Sequence, residues 1–120
     1  MSTVEREGGC YCGAVRYRIT VAPIRSLICH CADCRRICGA QSVAWVQVSL
    51  EGFRIEQGEP VRYQSSPAVI RTFCAVCGTS LTYETTDCAR YIDITTASLD
   101  DPEEFPPQGQ DFEEQKLSWV

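Results

Sequence analysis

Thiols dominate the chemistry available to this chain. Nine cysteines occur in 120 residues, and eight fall in three clusters: Cys10-Tyr11-Cys12, Cys29-His30-Cys31-Ala32-Asp33-Cys34 with Cys38 close behind, and Cys74-Ala75-Val76-Cys77-Gly78. Cys88 stands alone. An odd number cannot pair completely into intramolecular disulfides, so metal binding or thiol chemistry is the better account of the clusters. A zinc ion held by four thiolates at about 2.3 Å each needs its sulfurs within roughly 4 Å of one another, which short spacings in tight turns supply. In the stretch Cys74 to Gly78, the glycine after the second cysteine can take the left-handed backbone conformation. That turns backbone N–H groups toward the sulfurs and partly neutralises their charge. Cys10 and Cys12 lie two apart, hence on one side of an extended chain, and offer two more ligands. The four together predict a closed structural zinc site joining the amino-terminal strand to the later part of the chain, its binding energy becoming folding energy.

The middle cluster follows a different logic. Cys29, Cys31 and Cys34 are three ligands in six residues, enough to hold a zinc from one loop and leave a fourth position open. Three protein ligands plus water or substrate is how catalytic zinc sites are built. Closure by Cys38, four residues further on, would make the site structural instead, and a metal-free, redox-active cluster is a third reading. His30 sits between two ligands sharing a face, so its ring is expected to project away from the metal. As the sole histidine it is the one side chain that titrates near neutrality unperturbed, either a proton shuttle or an orienting hydrogen bond within the loop.

Strands must carry these clusters. Val15, Tyr17, Ile19 and Val21 alternate with Arg16, Arg18 and Thr20, the pattern of a half-buried strand. Ser42 to Leu50 is apolar on both faces, as in a central strand, and Phe53/Ile55, Val61/Tyr63, Val69 to Phe73, Leu81/Tyr83 and Tyr91 to Ile94 are shorter candidates. Turn-rich pieces such as Gln57-Gly58-Glu59-Pro60 separate them. One helical turn is expected, from Asp33 to about Cys38, with Asp33 as its cap and Gly39 as its stop. The reading is all-β. Residues 100–120 hold Pro102, Pro106, Pro107 and Gly109, and are expected to form an irregular tail packed on a single domain of residues 1–120. Phe105, Phe112, Leu117 and Trp119 would anchor that tail or line a pocket.

Composition narrows the function. Hydrophobic residues at 44% and charged residues at 22% fit a folded chain long enough for one core. The apolar runs are too short to span a bilayer, and Met1 to Gly9 lacks the apolar centre of a secretory signal, so a cytoplasmic location is expected. The formal charge of −5 offers no general attraction to phosphate backbones, which argues against a nucleic-acid partner. Seven metal-bound thiolates and two zinc ions would deepen that charge to about −8.

Three ordered motifs resemble a known family. Gly8-Gly9-Cys10-Tyr11-Cys12-Gly13-Ala14-Val15-Arg16-Tyr17, then Cys29 to Ala40, then Phe73-Cys74-Ala75-Val76-Cys77-Gly78 are similar to the signature segments of the glutathione-dependent formaldehyde-activating enzymes, a family that also contains centromere protein V. The likeness runs from about Gly8 to Leu99, and the ending Lys116-Leu117-Ser118-Trp119-Val120 is similar to the family's tail. It implies an all-β fold of the Mss4-like, sandwich type built around a structural zinc on Cys10, Cys12, Cys74 and Cys77. It implies a second, labile zinc on Cys29, Cys31 and Cys34. The implied reaction is condensation of glutathione with formaldehyde to S-(hydroxymethyl)glutathione, formally a carbon–sulfur lyase run in reverse. In the tail, this chain has Gln110 near the place where family members often carry a histidine.

An open zinc lowers the pKa of a bound thiol as it does that of water. Three thiolates on one divalent ion leave a formal charge of −1, which weakens it as a Lewis acid and favours thiol activation over polarisation of the aldehyde. Arg35 and Arg36, next to the cluster, could offset that charge or bind a substrate carboxylate, and solvated surface arginines are the equal alternative. Catalysis is therefore expected to rest on Cys29, Cys31, Cys34 and His30, with a small thiol such as glutathione as partner. The contrasting readings are a non-catalytic zinc module, as among the centromere-type relatives, and a thiol sensor. Those relatives carry basic extensions, whereas this chain is acidic.

Overall fold

In the computed structural model, residues 5–87 and 90–120 are described, and Cys88 falls outside them. Among the described residues, ten strands make two sheets, with one short α-helix, so the all-β expectation holds. Strands β1 (Arg6–Gly9), β2 (Arg16–Ile19) and β5 (Phe53–Gln57) form a three-stranded antiparallel sheet in the order β1-β2-β5. The larger sheet has the order β10-β3-β4-β9-β8-β7-β6. Its members are β3 (Arg25–Cys29), β4 (Val43–Ser49), β6 (Val61–Ser66), β7 (Val69–Phe73), β8 (Ser80–Thr85), β9 (Tyr91–Thr95) and β10 (Gln110–Asp111). All its neighbours pair antiparallel except β10, which runs parallel to β3.

The core joins the two sheets. Alternation on β2 sends Tyr17 and Ile19 inward against Val46 and Val48 of β4 and Ile92 and Ile94 of β9, all buried, with Leu81, Leu99 and Phe105 completing the cluster. Each such aliphatic side chain contributes about 1.5–3 kcal/mol on burial. Arg16 and Arg18, on the outward face of β2, pair instead with carboxylates: Arg16 with Asp100, Arg18 with Glu5, Glu7 and Glu56. These exposed pairs add little to stability.

Helix α1 (Ala32–Cys38) lies where a helical turn was expected, but its cap differs. Cys31, in extended conformation, is the N-cap, and its sulfur accepts from the Cys34 backbone N–H at 3.3 Å. Asp33 is inside the first turn, where its charge suits the helix dipole. Gly39 ends the helix at φ 63°, ψ 39°, donating its N–H to the Arg35 carbonyl. Strand β3 was not predicted, because Arg25 and Ser26 break the apolar alternation and its last residue reads as a metal ligand.

The tail contains short 3-10 turns at Pro102–Glu104 and Glu113–Gln115 around the two-residue β10. Phe105 is buried in the core, Leu117 is half-buried and Trp119 is exposed. No helix among the described residues is long and apolar enough to cross a membrane.

Candidate metal centres

Two groups of cysteines converge. The sulfurs of Cys10, Cys12, Cys74 and Cys77 all lie within 4.8 Å of one another. Cys10 and Cys12 come from the β1–β2 turn of the small sheet, Cys74 and Cys77 from the β7–β8 turn of the large one. The Cys10–Cys12 and Cys12–Cys74 separations of 3.6 and 3.8 Å match the edge of a tetrahedron with zinc–sulfur bonds of about 2.3 Å, close to 3.8 Å. Gly78 has φ 83°, as its place after the second cysteine predicted. Backbone N–H groups are aimed at the sulfurs: Val76 and Cys77 donate to Cys74 at 3.3 and 3.5 Å, and Val15 donates to Cys10 at 3.2 Å. Thr79 accepts from the Tyr11 N–H at 3.0 Å and bonds the Cys77 sulfur at 3.2 Å, linking the two turns. The Thr79 hydrogen bonds pull the Cys77 thiol down to about 5. Four thiols this close, with N–H donors already directed at them, have the donor set of a divalent metal site.

The second group is Cys29, Cys31 and Cys34, also within 4.8 Å of one another, and Cys38 does not join it. Cys29 ends β3, Cys31 caps α1, and Cys34 is buried in the helix. Burial pushes the Cys29 thiol up and does the same to Cys34. At Cys31 burial acts in that direction too, but the hydrogen bond from the Cys34 N–H and its sulfur neighbours outweigh it and lower the thiol. The set suits a metal with three protein ligands.

These three sulfurs edge a cleft of about 350 Å³. Much of its floor is one row of residues in register across the large sheet: Arg25 opposite Gln47, Gln47 opposite Asp93, Asp93 opposite Tyr83, Tyr83 opposite Arg71. Residues directly opposite in a ladder share a face, so the row is continuous. Leu27 and Trp45 form an apolar part of the lining. Phe112 stands at the edge, about half exposed, at φ 57°, a left-handed conformation unusual for a bulky side chain. Arg25 is paired with Asp111 at 3.0 Å. Burial lifts the Asp93 carboxyl to about 6, against the nearby Arg25 charge and a hydrogen bond with Gln47.

The remaining predicted residues lie elsewhere. His30 is 1% exposed and does not line the cleft; its Nε2 is 2.6 Å from Gln110 Oε1. That placement fits an orienting hydrogen bond. Arg35 and Arg36 are on the part of α1 away from the cleft lining, with Arg36 exposed. Cys38 is half-buried, packed against the cluster formed by Leu27, Cys29, Cys34, Val43 and Trp45. Sequence reasoning missed Arg71, Tyr83 and Asp93. The signal available was a charged residue inside each of two otherwise apolar strand patterns, Val69 to Phe73 and Tyr91 to Ile94.

Comparison with known proteins adds three findings. The family described as glutathione-dependent formaldehyde-activating enzyme matches residues 5–115. A curated protein of Schizosaccharomyces pombe, named as an uncharacterized lyase, is 31% identical over 84 residues, which cover 69% of this chain and 60% of that protein. The chain thus matches about 60% of the length of its curated relative. The crystal structure of a Rhodobacter sphaeroides protein superposes with a TM-score of 0.69 at 21% identity, covering 87% of this chain and 98% of that one, which establishes the likeness of fold.

Proposed function

The chain belongs to the glutathione-dependent formaldehyde-activating enzyme family, and from that premise we propose that it is a zinc-dependent carbon–sulfur lyase joining a small thiol to formaldehyde or a related carbonyl. The observation that carries the reading is the three-sulfur group at the edge of a cleft, without a fourth cysteine to complete it among the described residues. The name of the fission-yeast relative as a lyase supports the reaction class.

In this reading Cys10, Cys12, Cys74 and Cys77 hold a structural zinc, and Cys29, Cys31 and Cys34 hold the second. Cys29, Cys31 and Cys34 would hold that ion by three thiolates, and the chemistry it would supply is a lowered pKa for a substrate thiol near neutral pH. The chain's own residues do the rest. Leu27, Trp45 and Phe112 give the bound molecule apolar contact and exclude water around the reacting carbon. The floor row of Asp93 and Tyr83, between Arg25 and Arg71, gives a bound thiol a polar surface beside the sulfurs. His30, fixed by Gln110, orients the loop that bears Cys29 and Cys31. In the overall reaction the thiol S–H bond breaks, a sulfur–carbon bond forms, and the proton ends on the former carbonyl oxygen, with no oxidant or reductant required.

Two-dimensional exchange NMR on glutathione, formaldehyde and S-(hydroxymethyl)glutathione tests this. Zinc-loaded protein is expected to accelerate interconversion above the spontaneous rate. An unchanged exchange rate at full zinc occupancy overturns the proposal.

A further inference from the structure

Arg71 is 7% exposed, an unusual burial for a charged side chain. It lies in β7 between Tyr63 and Tyr83 in register, and its guanidinium carbon stands 4.8 Å from the centre of the Tyr83 ring. Its Nε donates to Ser65 Oγ at 3.3 Å, and its Nη1 is 3.8 Å from the Cys34 sulfur. No carboxylate among the described residues pairs with it, whereas Arg25, the other arginine of the cleft, is taken by Asp111. A guanidinium withdrawn from water without a counter-ion costs several kcal/mol. A cation–π contact and one hydroxyl do not offset that. The group beside it able to become an anion is the Cys34 sulfur, together with its partners Cys29 and Cys31.

We propose that Arg71 is the counter-charge of the three-cysteine centre, a positioning residue that sets how tightly that centre holds a metal ion. Three thiolates around a divalent ion carry a net −1, and the fixed guanidinium beside Cys34 brings the assembly to neutrality inside the cleft. The pairing is reciprocal: the arginine stabilises the thiolate form of the cluster, and the cluster stabilises a buried arginine. It also accounts for Arg35 and Arg36 standing outside the cleft, since the charge they were expected to balance is already met from β7. The inference rests on the reading of Cys29, Cys31 and Cys34 as a metal centre.

The test measures zinc affinity independently of catalysis. Wild-type protein and the variants R71Q, R71M and R71K are loaded with zinc, and the metal is withdrawn by competition with a chromophoric chelator while circular dichroism monitors the fold. Partners of metal ligands typically change affinity by about 10–100-fold on removal. R71Q and R71M are therefore expected to weaken the more labile zinc by about tenfold or more and leave the tighter one unchanged. R71K keeps the charge and is expected to stay within about threefold of wild type. Cobalt substitution gives a second readout, because loss of the adjacent charge shifts the thiolate-to-metal charge-transfer band. Equal affinity and an unshifted band in R71Q overturn the inference while leaving the metal centre intact. A loss in R71K as large as in R71Q also overturns it, and that comparison decides the matter should R71M fail to fold. A wild-type protein that binds one zinc only overturns the centre itself, and the inference with it.

Discussion

At Asp93 a carboxyl group sits on the floor of the cleft with burial driving its pKa up to about 6. The groups facing it are Arg25 on β3, Gln47 on β4, Tyr83 on β8 and Asp111 on β10. A folded-state pKa above the unfolded value means that folding favours the protonated acid. The stability this contributes is complete below about pH 4 and is lost as pH rises through about 6. Charged Asp93 therefore costs the fold on the order of 3 kcal/mol at pH 8. Asp93→Asn is expected to raise the melting temperature at pH 8 and to raise it less at pH 5, read from thermal denaturation of both proteins at the two pH values. An equal gain at both would show that burial does not hold this carboxyl near neutrality. At the same scale, the sequence correctly indicated the left-handed Gly78, and an orienting hydrogen bond was one of its two readings of His30. For Arg71 it carried only a charge inside the apolar pattern Val69 to Phe73, and not the partners Tyr83 and Cys34, which lie 12 and 37 positions away.

Among the elements, the tail has more to do with the site than its composition announced. Residues 105–115 run beside β3 and the loop that follows it, and hydrogen-bond to both. Ser26 donates its hydroxyl to the Phe105 carbonyl at 3.1 Å, and its own carbonyl accepts from the Gln108 N–H at 2.8 Å. The Ile28 N–H donates to the Gly109 carbonyl and the His30 N–H to the Asp111 carbonyl, both at 3.0 Å. Gln115 then accepts from the Ala32 N–H at 2.9 Å, at the start of α1. The left-handed turn at Phe112 redirects the chain between the last two of these, and so places its ring beside the cleft. The small sheet has its own close fit. A Cβ on Gly8 would meet Tyr17 Oη at 2.4 Å and the Ser98 carbonyl oxygen at 2.7 Å, whereas one on Gly109 meets nothing within 4 Å. Gly8→Ala is expected to cost about 1–3 kcal/mol through overpacking against Tyr17, and Gly109→Ala to change stability by less than about 0.5 kcal/mol, as measured by urea denaturation. Similar costs in both would mean that β1 accommodates a side chain.

For the whole molecule, the four-cysteine group joins the β1–β2 turn of one sheet to the β7–β8 turn of the other. Structural zinc in small domains contributes about 10–16 kcal/mol of apparent binding energy, comparable with or above the 5–15 kcal/mol total stability of an ordinary domain. The three-cysteine group lies within one loop and helix already held by β3, β10 and the tail. Ions held at the two groups are thus expected to leave differently. Stepwise chelation is expected to remove one zinc with the far-ultraviolet circular dichroism unchanged and the second only with unfolding. Cys77→Ser should fail to fold or lose solubility, while Cys31→Ser should remain folded with one zinc by native mass spectrometry. Equal loss of structure in both variants would refute this division.

The sequence by itself determined the all-β class, the helical turn ended by Gly39, and the close spacing of the cysteines within each local cluster. Each of these rests on spacing within a few residues or on strand alternation, which local geometry dictates. It also determined the family, because three ordered motifs survive as linear text. Only the tertiary structure decided which arginine and which carboxyl stand with the sulfurs. Arg25, Asp93 and Arg71 share a floor because five strands pair in one register, and Cys38 and Arg36 are left aside because the helix turns them away from the cleft. Register is set by the packing of whole faces, a property no short segment carries.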